Sequence, residues 1–184
     1  SHEPCSRGLM WDIDGLRALA VLCVIFFHLD IRHFEGGFVG VDVFFVISGY
    51  LITSIIQRDI EQKRFSLVQF YERRILRILP ALFAVLAATS ILAVFHLLPE
   101  DFIYFGKTLA ATAGFSSNIL FWLNSGYFEP DAAYVPLLHT WSLAVEEQFY
   151  IIFPLLLMGL AASHGLWRKL FILLLAAGSF ALAC

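Results

Sequence analysis

Apolar runs long enough to cross a bilayer, each broken by a few ionisable groups, set the strongest limit on what this chain can become. Residues 18 to 29 form one such core, which reaches the required length of about 20 residues when the flanks from Ile13 to Ile31 are included. Further apolar segments follow at 38–56, 80–98, 107–125, 139–160 and 170–184. In hydrocarbon the backbone must satisfy its own hydrogen bonds, so such segments are helices. With 60% hydrophobic and 15% charged side chains in 184 residues, the composition excludes an ordinary soluble domain. The expected fold is all-α, a polytopic transmembrane helix bundle of about 5–6 membrane segments with one re-entrant.

A net charge of -3 gives no support to a nucleic-acid partner. Cys5, Cys23 and Cys184 lie far apart and form neither a disulfide framework nor a metal-ligand spacing, so they are expected to be inert. No small-residue cleavage site follows the first apolar segment, which is therefore expected to stay as a membrane helix.

Ionisable groups at membrane depth mark functional sites by default. Arg17 and His28 are eleven residues apart, which returns them to within about 20° of one helix face, about 16 Å apart along the axis. Asp42 opens the second segment. A hairpin with a connection of about six to eight residues is expected to place His28 and Asp42 at the same end. The stretch 57–77 carries six of the twelve Lys and Arg residues and is read as a cytoplasmic basic loop. Pro80 is expected to open the third segment at its first turn.

Residues 107–125 carry Thr108, Thr112, Ser116, Ser117 and Asn118. A full crossing there would put the acidic stretch with Glu129 and Asp131 inside and Arg168 and Lys169 outside. That charge distribution favours a re-entrant or surface-lying 102–125, with 139–160 running inward. The apolar run from Leu170 to Cys184 begins another span but stops short of the usual length, so the chain is expected to be truncated.

As chemistry, His28 can serve as a general base with a carboxylate to orient it, or can simply bond to backbone at an interface. Asp42 can fill the orienting role, cap a helix or pair with Arg32. Arg73, Arg74 and Arg77 read either as a juxtamembrane stop signal on lipid phosphates or as a phosphate clamp, with Arg74 and Arg77 sharing a face. Glu146 and Glu147, with His139 and Tyr150, enter the start of a span and are hard to explain as packing.

Four stretches carry a family resemblance. Ile13 to Val21 with His28, Gly36 to Tyr50, Arg73 to Ala81, and Trp141 to Tyr150 resemble, in order, the motifs of the membrane-bound acyltransferase family 3. The resemblance covers nearly the whole chain and implies that residues 1–184 are the N-terminal half of the family's transmembrane domain. Arg17 and His28 match the family's Arg-x10-His motif, Arg74 and Arg77 its Arg-x-x-Arg motif, and Glu147 with Tyr150 its Glu-x-x-Tyr motif. It implies an enzyme of a bacterial-type inner (cytoplasmic) membrane. Such an enzyme moves an acyl group, usually acetyl from acetyl-CoA, to a hydroxyl of an extracytoplasmic glycan such as lipopolysaccharide O-antigen, peptidoglycan or exopolysaccharide, without a metal.

On that reading His28 is the base, oriented by Asp42, and Arg17 stabilises negative charge along the path. Arg74 and Arg77, with Arg73 beside them, bind the acyl-CoA phosphates, while Glu147 and Tyr150 line the acceptor or transfer site. Direct attack on the thioester and passage through an acylated His28, Tyr150 or Ser48 are both compatible with the sequence. The rivals are a transporter or channel, which would need an internal repeat that these residues do not show, and a non-catalytic fragment.

Overall fold

The computed structural model describes residues 4–124, 135–161, 169–171 and 173–178, with side chains from residue 12 onward except that of Ala161. These residues form six α-helices, α1 (Pro4–His28), α2 (Gly40–Glu61), α3 (Leu67–His96), α4 (Pro99–Ala113), α5 (Ser117–Leu123) and α6 (Thr140–Ala161). A 3-10 turn at Gly37–Val39 precedes α2, and a short apolar helix covers Lys169–Gly178. No strand occurs among the described residues. Three of the helices, α2 with its leading turn, α3 and α6 through Leu160, are long and apolar enough to cross a membrane. Large apolar side chains such as Val46, Phe95 and Trp122 are exposed, as a hydrocarbon solvent permits.

The chain divides into two compact units, Ser1–Glu61 and Gln62–Cys184. In the first, α1 ends in a Schellman cap: Asp30 takes a left-handed φ of 52°, its N–H bonds to the Phe27 carbonyl, and the Ile31 N–H bonds to that of Phe26. The chain then folds back along α1. A Cβ on Gly37 would lie 2.3 Å from the Cys23 carbonyl oxygen, and one on Gly40 2.4 Å from that of Ala20. Backbone meets backbone there, as small residues allow in membrane helix pairs. Gly36 and Gly49 face open space and play no such part.

In the second unit, Leu82, Leu86 and Ala93 of α3, Phe105 of α4 and Leu137 ahead of α6 form the apolar core. Helix α3 begins at Leu67, thirteen residues before Pro80, and runs through the proline to His96. The expected start at Pro80 is thus corrected. The turns that carry the arginines keep helical periodicity, and one lost backbone bond is tolerated inside a membrane helix. The expected basic loop 57–77 is corrected in the same way. Arg58 belongs to α2, Arg73, Arg74 and Arg77 to α3, and only residues 62–66 connect the helices.

The segment expected to be re-entrant is, over its described residues, a broken helix, α4 of 15 residues and α5 of 7, each too short to cross a bilayer. At the break Phe115 has φ 50°, with its N–H bonded to the Thr112 carbonyl and the Ser116 N–H to that of Ala111. The left-handed position falls on Phe115 although Gly114 precedes it at φ -91°. The backbone cost for a side-chain-bearing residue is about 1–2 kcal/mol, offset here as Phe115 packs against the Leu82–Leu137 core.

Candidate active site

Helix pairing in the first unit fixes which side chains share a level. Gly37 lies against Cys23 and Phe27, Gly40 against Ala20 and Val24, and Phe44 under the Arg17 guanidinium at 4.9 Å from its ring centroid. Asp42, between Gly40 and Phe44, is therefore level with the turn around Ala18. At 1.5 Å per residue that is about 15 Å along α1 from His28. Gly40 and Phe44 point at α1, and Asp42, two residues from each, lies about 180° round the helix from them. The expectation that His28 and Asp42 share one end is corrected. The turn at 29–39 is longer than expected and doubles over the last turns of α1, which slides α2 toward the Arg17 end. No hydrogen bond or ion pair joins His28 to Asp42 among the described residues. Asp42 is an exposed carboxylate in the first turn of α2, where it complements the helix dipole.

His28 is exposed at the end of α1, and its Nδ1 lies 2.8 Å from the Val24 carbonyl oxygen. A carbonyl only accepts, so Nδ1 carries the proton and neutral His28 presents the lone pair of Nε2. Arg17 is half-buried, pairs loosely with Asp14 at 3.8 Å, and keeps its Nε buried without a hydrogen-bond partner. It borders a shallow groove of about 490 Å³ lined by Asp14, Ala18, Val21, Leu22 and Phe44.

The denser polar cluster is in the second unit. The Arg74 guanidinium lies 3.2 Å from the centroid of the Tyr150 ring and 5.8 Å from that of Phe70. Tyr150 is 3% exposed and donates its hydroxyl hydrogen to Oε1 of Glu146. Glu147 is 8% exposed, and the charges of Arg74 and Glu146 both bear on it. Glu147 Oε1 and Arg74 Nε are buried without hydrogen-bond partners. The cluster thus offers one N–H and one carboxylate oxygen to an additional polar group, the complement that a hydroxyl can supply.

Two residues placed in separate roles by the sequence reading, Arg74 as clamp and Tyr150 as acceptor lining, are in contact. The arginine triple is divided, with Arg74 turned to Tyr150 while Arg73 and Arg77 are exposed. Arg73 and Arg77 are four residues apart on one face, without an ion-pair partner among the described residues.

Neighbouring polar contacts hold α6 in place. The Tyr71 hydroxyl donates to the Ile151 carbonyl at 2.8 Å, next to the turn where Pro154 removes the backbone donor to Tyr150. Tyr71→Phe is expected to cost about 1 kcal/mol, read as a lower unfolding temperature in detergent. Buried Thr112, Ser117 and Thr140 bond to one another, and Gln148 pairs with Asn118. In the sequence Thr112, Ser117 and Asn118 stand out only as polar interruptions, and Gln148 is hidden beside its acidic neighbours. The available signal was that an amide beside two glutamates at membrane depth must also find partners. Among the described residues no group of His, Cys, Asp or Glu side chains could hold a metal ion. Cys23 is a free thiol, whereas the side chains of Cys5 and Cys184 and residues Glu129, Asp131 and Arg168 lie outside the described residues.

A family model described as an acyltransferase domain matches residues 10–183. The chain belongs to this family. A Haemophilus influenzae protein termed uncharacterized is 50% identical to this acyltransferase domain over 117 residues, 64% of the chain and 48% of the relative. The peptidoglycan O-acetyltransferase OatA of Listeria monocytogenes is 43% identical over 155 residues, 83% of the chain and 25% of the relative. The O-acetyltransferase OatA of Staphylococcus aureus is 43% identical over 150 residues, 79% of the chain and 24% of the relative. The acyltransferase domain described here thus spans about a quarter of those two enzymes and about half of the Haemophilus protein. No solved structure matches it.

Proposed function

We propose that the protein is a membrane O-acyltransferase that moves an acyl group, acetyl in the simplest case, from a cytoplasmic acyl-CoA to a hydroxyl of an extracytoplasmic cell-wall glycan, peptidoglycan being the first candidate. The observation that carries this reading is the convergence of Arg74, Glu147 and Tyr150, from segments more than seventy residues apart, into one buried polar cluster. The family and the two O-acetyltransferase relatives supply the reaction class.

Arg73 and Arg77 suit the donor's phosphates, since two exposed guanidiniums about 6 Å apart along one helix face offer paired forks to anionic oxygens. The basic stretch around them supports a cytoplasmic position for that end of α3, by the charge rule, in a bacterial-type inner membrane. The unpartnered Arg74 Nε and Glu147 Oε1 suit a hydroxyl as ligand.

His28 is the base. Its Nε2 takes the proton of the attacking hydroxyl, the oxygen bonds to the thioester carbonyl carbon, the carbon–sulfur bond breaks, and the proton passes to the leaving thiolate. The backbone bond at Nδ1 holds the ring in that tautomer, as an orienting carboxylate would. Arg17 supplies positive charge on the same helix.

The test is transfer of radiolabelled acetyl from acetyl-CoA to glycan by membranes that carry the protein. His28→Ala is expected to lower transfer at least about a hundredfold with membrane insertion and acetyl-CoA binding unchanged. Near-normal transfer by this variant overturns the base assignment, and no transfer by the unmodified protein overturns the function.

A further inference from the structure

Gln148 follows Glu147 directly, yet its carboxamide reaches away from the cluster to another element. Its Nε2 donates to the Phe115 carbonyl at 2.8 Å and to Asn118 Oδ1 at 2.9 Å, and its Oε1 accepts from Asn118 Nδ2 at 3.1 Å. One side chain thereby ties α6 both to the break between α4 and α5 and to the first turn of α5. The carbonyl it holds belongs to Phe115, whose left-handed backbone persists only where its surroundings over-determine it.

Further ties lie on either side, at Thr140 two turns before Gln148 and at Ile151 just under one turn after it. Thr140 bonds to Thr112 and Ser117, and the Ile151 carbonyl accepts from Tyr71. Those ties anchor the two ends of the segment, and Gln148 sets its rotation between them. At about 100° per residue, Glu147 and Tyr150 are about 60° apart on one side of α6, with Gln148 about 100° round from Glu147. A helix turned about its axis would carry both groups away from Arg74.

We propose that Gln148 is a positioning residue that, through Asn118 and the Phe115 carbonyl, sets the rotation of α6 at which Glu147 and Tyr150 meet Arg74. Its kinetic consequence rests on the acyl-transfer reading above, while its geometric consequence does not.

Two measurements on the full-length protein in its native membrane test this. Gln148→Leu lowers turnover about tenfold or more, within the range that small displacements of reacting groups produce, and leaves the KM for acetyl-CoA unchanged. In a background free of other cysteines, the pair Arg74→Cys and Tyr150→Cys is joined by a short bifunctional thiol reagent, and adding Gln148→Leu removes most of that cross-link. The exchange Asn118→Gln with Gln148→Asn keeps an amide facing an amide and recovers both readouts in part, which loss of general stability would not do.

Wild-type turnover and an unchanged cross-link in Gln148→Leu overturn the proposal. If that variant fails to accumulate, Asn118→Leu, which retains the bond to Phe115, is read by the same two measurements and the same criterion. A cross-link that falls in a protein whose parent transfers no acyl group upholds the positioning and overturns the acyl-transfer reading instead.

Discussion

Arg74→Ala is expected to lower acyl transfer about a hundredfold or more, with a visible loss of stability. A guanidinium held over an aromatic face is worth about 2 kcal/mol when desolvated, and 3.2 Å from the Tyr150 centroid is a close approach. Removing it also leaves Glu147, 8% exposed, beside Glu146 without the nearby cation. Among the described residues no ion pair within 4 Å joins Arg74 to Glu147, so this second loss is smaller than the breaking of a tight buried pair.

Arg74→Lys is expected to recover little, because an ammonium cannot lie flat on the ring or keep a buried Nε–H. Adding Glu147→Gln to Arg74→Ala is expected to restore part of the stability, the share due to Glu147 and not that of the lost ring contact, without restoring transfer. Thermal unfolding in detergent and labelled-acetyl transfer, measured together on the four proteins, separate these effects. Wild-type transfer in Arg74→Ala would remove the cluster from the mechanism.

Gly40→Leu is expected to prevent closure of the α1–α2 hairpin. Its Cβ alone would lie 2.4 Å from the Ala20 carbonyl oxygen and 2.9 Å from Val24 Cγ2, so the helices must separate. Overpacking costs about 1–3 kcal/mol where side chains can adjust and more where backbone is the obstacle, a large part of a marginal stability of about 5–15 kcal/mol. Gly49→Ala, on the same helix but in open space, is the control. It is expected to raise stability by about 0.8 kcal/mol through helix propensity. Protease protection of residues 12–61 in membranes reads both, with Gly40→Leu cut readily and Gly49→Ala resistant.

Much of the helical plan was legible because apolar length and composition report directly on membrane helices. The segments at 38–56 and 139–160 correspond to α2 and α6 within a few residues. Pro80 misled because proline signals a helix start in water, whereas within a membrane helix neighbouring groups absorb its missing donor.

Loop length alone could not place Asp42. The glycines that set the hairpin register act through which backbone atoms they approach, and of four only Gly37 and Gly40 make such contacts. Periodicity equally could not show that Arg74 turns inward while Arg73 and Arg77 stay exposed, since that division depends on where α6 lies. The break at Phe115 was legible as a polar, interrupted segment, but its left-handed residue was not, because the adjacent Gly114 is the one that propensity would choose.

The glycine contact in the hairpin also bears on how the chain enters the membrane. Helix α1 carries Asp12, Asp14 and Arg17 and, among the described residues, is not one of the helices apolar enough to cross unaided. Its partner α2 is such a helix and follows after only eleven residues. The close seat of Gly37 and Gly40 on α1 therefore gives the more polar helix an apolar neighbour along its length, so that a change at either glycine bears on how α1 is accommodated in lipid as well as on the site.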